Sequence, residues 1–178
     1  MKNAPDFCIE EFVSEDIFRL YGENSVWFVN PIIISLAQFF KDYLTDHFKK
    51  IDPEIKTVLV TVNNWKWNGK RNWSGLRTFR YIWGKVRRGQ DPAELSQHIG
   101  GSCNAIDMIF TIVFKDARRK TLTANEVRKI ISKDPQPFLD AGLTTLERGS
   151  IAPTWVHADC RYTGLKNIMY FGKTKGNN

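Results

Sequence analysis

The chain has 178 residues, 42% of them hydrophobic and 13% aromatic, and carries a formal charge of +7 with a sequence pI near 9.4. That length suits one domain with one core, and no run approaches the roughly 20 apolar residues that cross a bilayer, so membrane insertion is not expected. The charge favours anionic surfaces such as nucleic acid or teichoic acid without choosing among them, and the widely spaced Cys8, Cys103 and Cys160 exclude a disulfide framework or a four-cysteine metal module.

Met1 to Asp6 has no apolar stretch ahead of Phe7, so no secretory signal is expected. Phe7 to Val13 reads as a segment packed on the surface, making residues 1–20 an N-terminal arm, and Ser14 before Glu15 and Asp16 caps a short helix through Leu20. From Ser35 to Ile51, Leu36, Phe39, Phe40, Tyr43, Leu44 and Phe48 recur at helical spacing and predict the main amphipathic helix. His47 sits at its basic end, where a histidine is a favourable charge for the helix dipole. Pro53 closes the helix, and the β-branched run Thr57 to Val62 predicts a buried strand. The loop Asn63 to Arg77, NNWKWNGKRNWSGLR, follows, with Trp65, Trp67 and Trp73 as packing or as cleft wall. After a basic stretch from Arg80 to Arg88 come SQHIGGSCNAID, Ser96 to Asp107, and a second apolar strand, Met108 to Phe114. Thr123 and Glu126 form a capping box ahead of a helix through Ser132. Strands are predicted near Thr144 to Arg148, from Trp155 to Tyr162 and from Ile168 to Phe171, then a polar tail over 172–178. Helices and strands do not alternate as βαβ units, which gives an α+β class and a single domain over 1–178.

Only three histidines occur, His47, His98 and His157, so a metal site is a short enumeration. Hydrolytic zinc sites use three nitrogen or oxygen ligands and keep a fourth position for water. His98, Asp107 and His157 supply such a set. Gly100 and Gly101 after His98 allow a sharp turn, and Asp107 heads an apolar strand, where a carboxylate is costly unless something positive meets it. Alternation in WVHAD puts Trp155, His157 and Asp159 on one strand face. Taken singly, each has a plainer reading, a hydrogen-bonded core histidine or an aspartate cap, and Cys103 competes as second ligand because a thiolate also binds zinc.

The run SQHIGGSCNAID resembles the SxHxxGxAxD motif of the zinc peptidases that include D-alanyl-D-alanine carboxypeptidases, phage endolysin peptidases and the hedgehog domain. WVHADCR is similar to their second motif, whose strand histidine is the third ligand, and DFCIEEFVSEDI, VTVNNW and SGLR look like the phage and bacterial branch. The resemblance runs from about Phe7 to Phe171 and departs at one ligand: the family's aspartate comes seven residues after the histidine, where this chain has Ala105, and here the acid is Asp107. Because that shift is even, alternation keeps Asp107 on the same face.

The resemblance implies a small antiparallel sheet with helices packed on one side, Zn2+ held by His98, Asp107 and His157, and hydrolysis of peptide bonds in bacterial peptidoglycan, of D,D-carboxypeptidase or endopeptidase type. The family's usual glutamate position is Thr154, which leaves Asp159 and Glu147 as alternative proton acceptors. Asp159 could equally orient His157 or simply pair with Arg161, and Glu147 could be a solvated charge beside Arg148. Arg77 in SGLR stands where the family arginine faces the cleft, and Ser96 and Gln97 are expected to steady the ligand loop or bind substrate. The implied setting is a phage-encoded lytic or virion-associated protein, made in the host cytoplasm and acting at the wall as a monomer or as part of a particle, with its basic charge aiding contact with anionic wall polymer. A non-catalytic module that keeps the fold is the alternative. A nucleic-acid surface over Lys66 to Arg88 is the weaker third reading.

Overall fold

The computed structural model describes residues 4–77, 97–98 and 103–172. Its principal helix, α2, spans Pro31–Lys49 and follows the short α1, Glu15–Tyr21. It starts ahead of the predicted Ser35 because Asn30 caps it, accepting a hydrogen bond from the Ile32 amide at 3.0 Å, with Pro31 pre-set for the first turn. Ile33, Leu36, Ala37, Phe40 and Leu44 form its buried stripe. The stripe meets β1, Ile55–Thr61, through Val58 and Val60, and β2, Ala105–Phe114, through Phe110, whose ring centroid lies 5.6 Å from that of Phe40. α3, Ala124–Lys133, begins at the predicted capping box, with Thr123 Oγ1 accepting from the Glu126 amide at 3.2 Å and Glu126 Oε2 accepting from the Thr123 amide at 2.7 Å.

Two elements carried no sequence signal. α4, Gln136–Asp140, is too short and too proline-bounded to show periodicity, yet it delivers Phe138 to the rings of Phe39, Phe40 and Tyr43. β3, Arg119–Thr121, is exposed and charged, and exists because the tight turn after Phe114 folds it back on β2.

The fold is mixed α+β, with one six-stranded sheet in the order β1-β2-β5-β4-β6 and β3 also paired with β2; β4 is Thr145–Glu147, β5 Val156–Asp159 and β6 Met169–Phe171. The sheet departs from the antiparallel one that the resemblance implies: β6 runs parallel to β4. Since β5 is antiparallel to β4, a chain that reverses after β5 and lands on the far edge of β4 must travel in the β4 direction. A second correction concerns the N-terminal arm. Phe7, Ile9, Phe12 and Val13 are buried in the common core, so this segment is interior packing and not a surface appendage. Among the described residues no helix is long and apolar enough to cross a membrane.

Candidate metal centre

β2 is buried on both faces between Ala105 and Met108. Ile106, Met108 and Phe110 point into the core, so alternation turns Ala105 and Asp107 to the other side. There the antiparallel register sets Asp107 directly opposite His157 and Ala105 opposite Asp159. On the next strands Thr145 pairs with Asp159, and Glu147 pairs with Phe171. One row across the sheet therefore holds Asp107, His157, Glu147 and Phe171, and the His157 ring meets Phe171 edge-on at 5.4 Å.

His98 enters from outside the sheet. Its carbonyl accepts from the Arg77 amide at 2.9 Å, and the carbonyl of Gln97 accepts from the Asn104 amide at 2.9 Å, which pins the segment to the strand entrance. Its Nε2 lies 3.2 Å from His157 Nδ1 and 3.5 Å from Asp107 Oδ1, and the last two atoms are 2.8 Å apart. Ligands of a tetrahedral ion bound at about 2.0–2.2 Å stand roughly 3.3–3.6 Å from one another, so a small widening of this triangle, chiefly along the edge between His157 and Asp107, is all that separates it from a coordination set. The buried His98, Asp107 and His157 could hold a metal ion.

Each of the three also has an outer partner. His98 Nδ1 donates to the Gly75 carbonyl at 3.0 Å, which leaves the lone pair of Nε2 facing the cluster. Arg77 Nη2 donates to Asp107 Oδ2 at 2.8 Å, leaving Oδ1 toward the histidines. The far nitrogen of His157, Nε2, is buried without a hydrogen bond and lies 3.6 Å from Asp159 Oδ2. Asp159 is fully buried and is gripped by Arg161 Nε at 3.0 and 2.8 Å.

These contacts set the protonation of the metal-free site. Burial drives His98 down to about 4, because the attraction of Asp107 does not offset the loss of water. Burial also opposes charge on His157, yet its hydrogen bond to Asp107 and the nearby Asp159 overcome it and push the group up to about 9. Asp107 resists burial through the adjacent His98 and His157 and stays well below the usual carboxylate range. Glu147 shifts the other way: burial raises it, only partly countered by His157.

Local sequence explains the scaffold. After β1, Asn63 donates through Nδ2 to the Val13 carbonyl at 2.9 Å and accepts from the Ser74 amide at 2.8 Å, tying NNW to SGLR. The Ser74 carbonyl accepts from the Asp107 amide at 2.8 Å, and Leu76 bridges Phe12 and Ser14 through its own amide and carbonyl. Gly75 is required because a Cβ there would stand 2.0 Å from the Phe12 carbonyl oxygen.

The structure thus brings together His98, Asp107, His157 and Arg77 of the predicted residues, with Glu147 in the same row and Asp159 behind His157. Cys103 is not among the donors: its Sγ points to the Ala105 carbonyl at 3.0 Å, and burial pushes the thiol up to about 12. Arg77 is engaged with Asp107 and with the Trp73 carbonyl, so its visible role is to orient the Asp107 carboxylate. Ser96 lies outside the described residues, as does the whole basic stretch from Arg80 to Arg88. Trp65 packs on Phe18 and donates to Val13, whereas Trp67 is exposed. Sequence reasoning missed Gly75, Phe171 and Arg71, whose Nη2 donates to the Asp107 carbonyl at 2.9 Å. The one available signal was the glycine in SGLR. No protein-family model, curated protein or solved structure matches this chain.

Proposed function

We propose that this chain is a zinc-dependent peptidase that cleaves peptide bonds of bacterial peptidoglycan, as the motif resemblance implies. The observation that carries the reading is the convergence of two imidazole nitrogens and one carboxylate oxygen in a buried triangle, each ligand steadied from behind. Bound zinc would polarise the scissile carbonyl and lower the pKa of water to about 7.

The chain's own residues divide the remaining work. Glu147 is the better proton acceptor of the two carboxylates: it shares the row of His157, and its raised carboxyl holds a proton more readily than an ordinary glutamate. Asp159 faces the side of His157 opposite the donor triangle and is paired with Arg161, so it has neither the position nor the freedom to move a proton there. Arg77 fixes which oxygen of Asp107 faces inward, and its charge at the rim adds favourable electrostatics for an oxyanion. The even displacement of the acid has a register meaning: an aspartate at Ala105 would face Asp159, whereas Asp107 faces His157. The surplus of positive charge favours approach to an anionic wall, in keeping with a phage-encoded lytic or virion-associated role.

The test is elemental analysis alongside muropeptide release from purified peptidoglycan, for the wild type, His157→Ala and Glu147→Gln. One zinc per chain, with release abolished in the first variant and strongly reduced in the second, is the expected result. Zinc without release in the wild type assigns the chain to a non-catalytic module, iron or manganese corrects the metal, and no metal overturns the reading.

A further inference from the structure

The sequence after His157 places three residues around the side of the imidazole that faces away from Asp107. Asp159 Oδ2 approaches Nε2 at 3.6 Å and is itself fully buried. Arg161 closes on Asp159 with its Nε at 3.0 and 2.8 Å from the two carboxylate oxygens, and its backbone amide donates to Oδ1 at 3.2 Å. The same guanidinium lies over the Phe171 ring at 5.2 Å, and that ring meets His157 edge-on at 5.4 Å. His157, Asp159, Arg161 and Phe171 therefore make a closed circuit of contacts, contributed by β5, the residues just after it and the parallel strand β6.

A buried carboxylate beside a buried imidazole nitrogen is a costly arrangement unless other groups compensate it, because each loses its water. Here Arg161 compensates Asp159, and the one buried polar atom left without a hydrogen bond in the circuit is His157 Nε2. We propose that Asp159, Arg161 and Phe171 form a positioning unit for His157. Asp159 keeps the ring proton on Nε2, so that Nδ1 presents its lone pair to a metal. Arg161 holds the carboxylate in place, and Phe171 fixes the tilt of the ring. This rests on the metal-centre reading and assigns the three residues a role in ligand geometry, not in proton transfer to substrate. It also accounts for β6, a three-residue strand whose pairing with β4 brings Phe171 level with Glu147 and against His157.

The experiment compares wild type, Asp159→Asn, Arg161→Met, Arg161→Lys and Phe171→Leu. Zinc affinity is measured by chelator competition, the visible spectrum is recorded with cobalt(II) in place of zinc, and 15N shifts of His157 are read in the zinc-loaded protein. Wild type should show the metal on Nδ1 and the proton on Nε2. Asp159→Asn should lose about 10- to 100-fold in affinity with an altered cobalt spectrum. Arg161→Met and Phe171→Leu should lose several-fold each, and Arg161→Lys should recover most of the loss. Because Asp159 is fully buried, metal-free melting is followed in parallel, and the partly exposed Arg161 provides the variants that best preserve the fold. Folded Arg161→Met and Phe171→Leu proteins with wild-type affinity and cobalt spectra overturn the unit, as does wild-type coordination through Nε2. Absence of metal uptake by wild type overturns the metal centre itself and the unit with it.

Discussion

Between Ile109 and Phe114, β2 pairs with β1 and packs Phe110 and Ile112 into the core. Between Ala105 and Met108 it pairs with β5 and carries Asp107 on the opposite face, among His98, Arg77 and His157. The first stretch is held by apolar burial, in which a volume-conserving apolar replacement is tolerated better than a change of size or shape. The second is held by oriented polar contacts, in which each group offsets the desolvation of the next and none is replaceable by a merely similar residue. One strand thus joins a tolerant half to an exacting half, and substitutions should separate them.

The largest effect is expected at the exacting end. Asp107→Ala leaves Arg77 without its carboxylate and removes the main contact that keeps the buried His157 charged, a loss of about 3–5 kcal/mol in denaturant unfolding, together with loss of metal uptake. Asp107→Asn keeps the shape, so it should cost less stability while still abolishing metal uptake. At the tolerant end Phe110→Ala should cost about 3–5 kcal/mol by the cavity it opens under α2, but the folded protein should bind metal as wild type does. Equal loss of metal affinity in Asp107→Asn and Phe110→Ala would erase the distinction between the two halves.

Gly75→Ala tests whether the site reaches beyond the sheet. The new methyl has no room against the Phe12 backbone, so the loop must shift by enough to cost about 1–3 kcal/mol and to move the carbonyl that orients His98. Calorimetry and chelator competition should both register it. The smallest effect lies in α3, distant in kind from either half. The Glu126 carboxyl sits below its ordinary value of 4.5 because the Thr123 amide, then its hydroxyl, donate to it. A depressed folded value means that its contribution is complete above the unfolded value and fades as pH falls through the folded one. Glu126→Gln should therefore be less stable than wild type near neutrality, with the gap closing below about pH 4.5 and metal affinity unchanged throughout.

Much of this was legible in the sequence because it depends on local periodicity. The stripe of Leu36, Phe40 and Leu44 announced α2, β-branched runs announced β1 and β2, and Thr123 with Glu126 announced the start of α3. The donor residues were legible by type, and alternation in WVHAD gave the face of His157 and Asp159. Relations across the chain were not. Nothing local to Gly75 shows that Phe12 will press on it, nothing near Asp107 names Arg71, and the parallel placement of β6 depends on where β4 ends up. The N-terminal arm was misread for the same reason: Phe7, Ile9 and Phe12 are irregularly spaced, so their shared burial follows from tertiary contact and not from any repeat.

The backbone carbonyls of Phe12 and Val13 accept from Leu76, Asn63 and Trp65, and thereby hold the loop that positions His98. A minimal fragment built from β2 and β5 alone would carry Asp107 and His157 but lose the alignment of the third donor. Anyone grafting this cluster onto another scaffold has to transplant a non-contiguous frame whose first rail is the Phe12 and Val13 backbone, many residues before any of the three candidate donors appears.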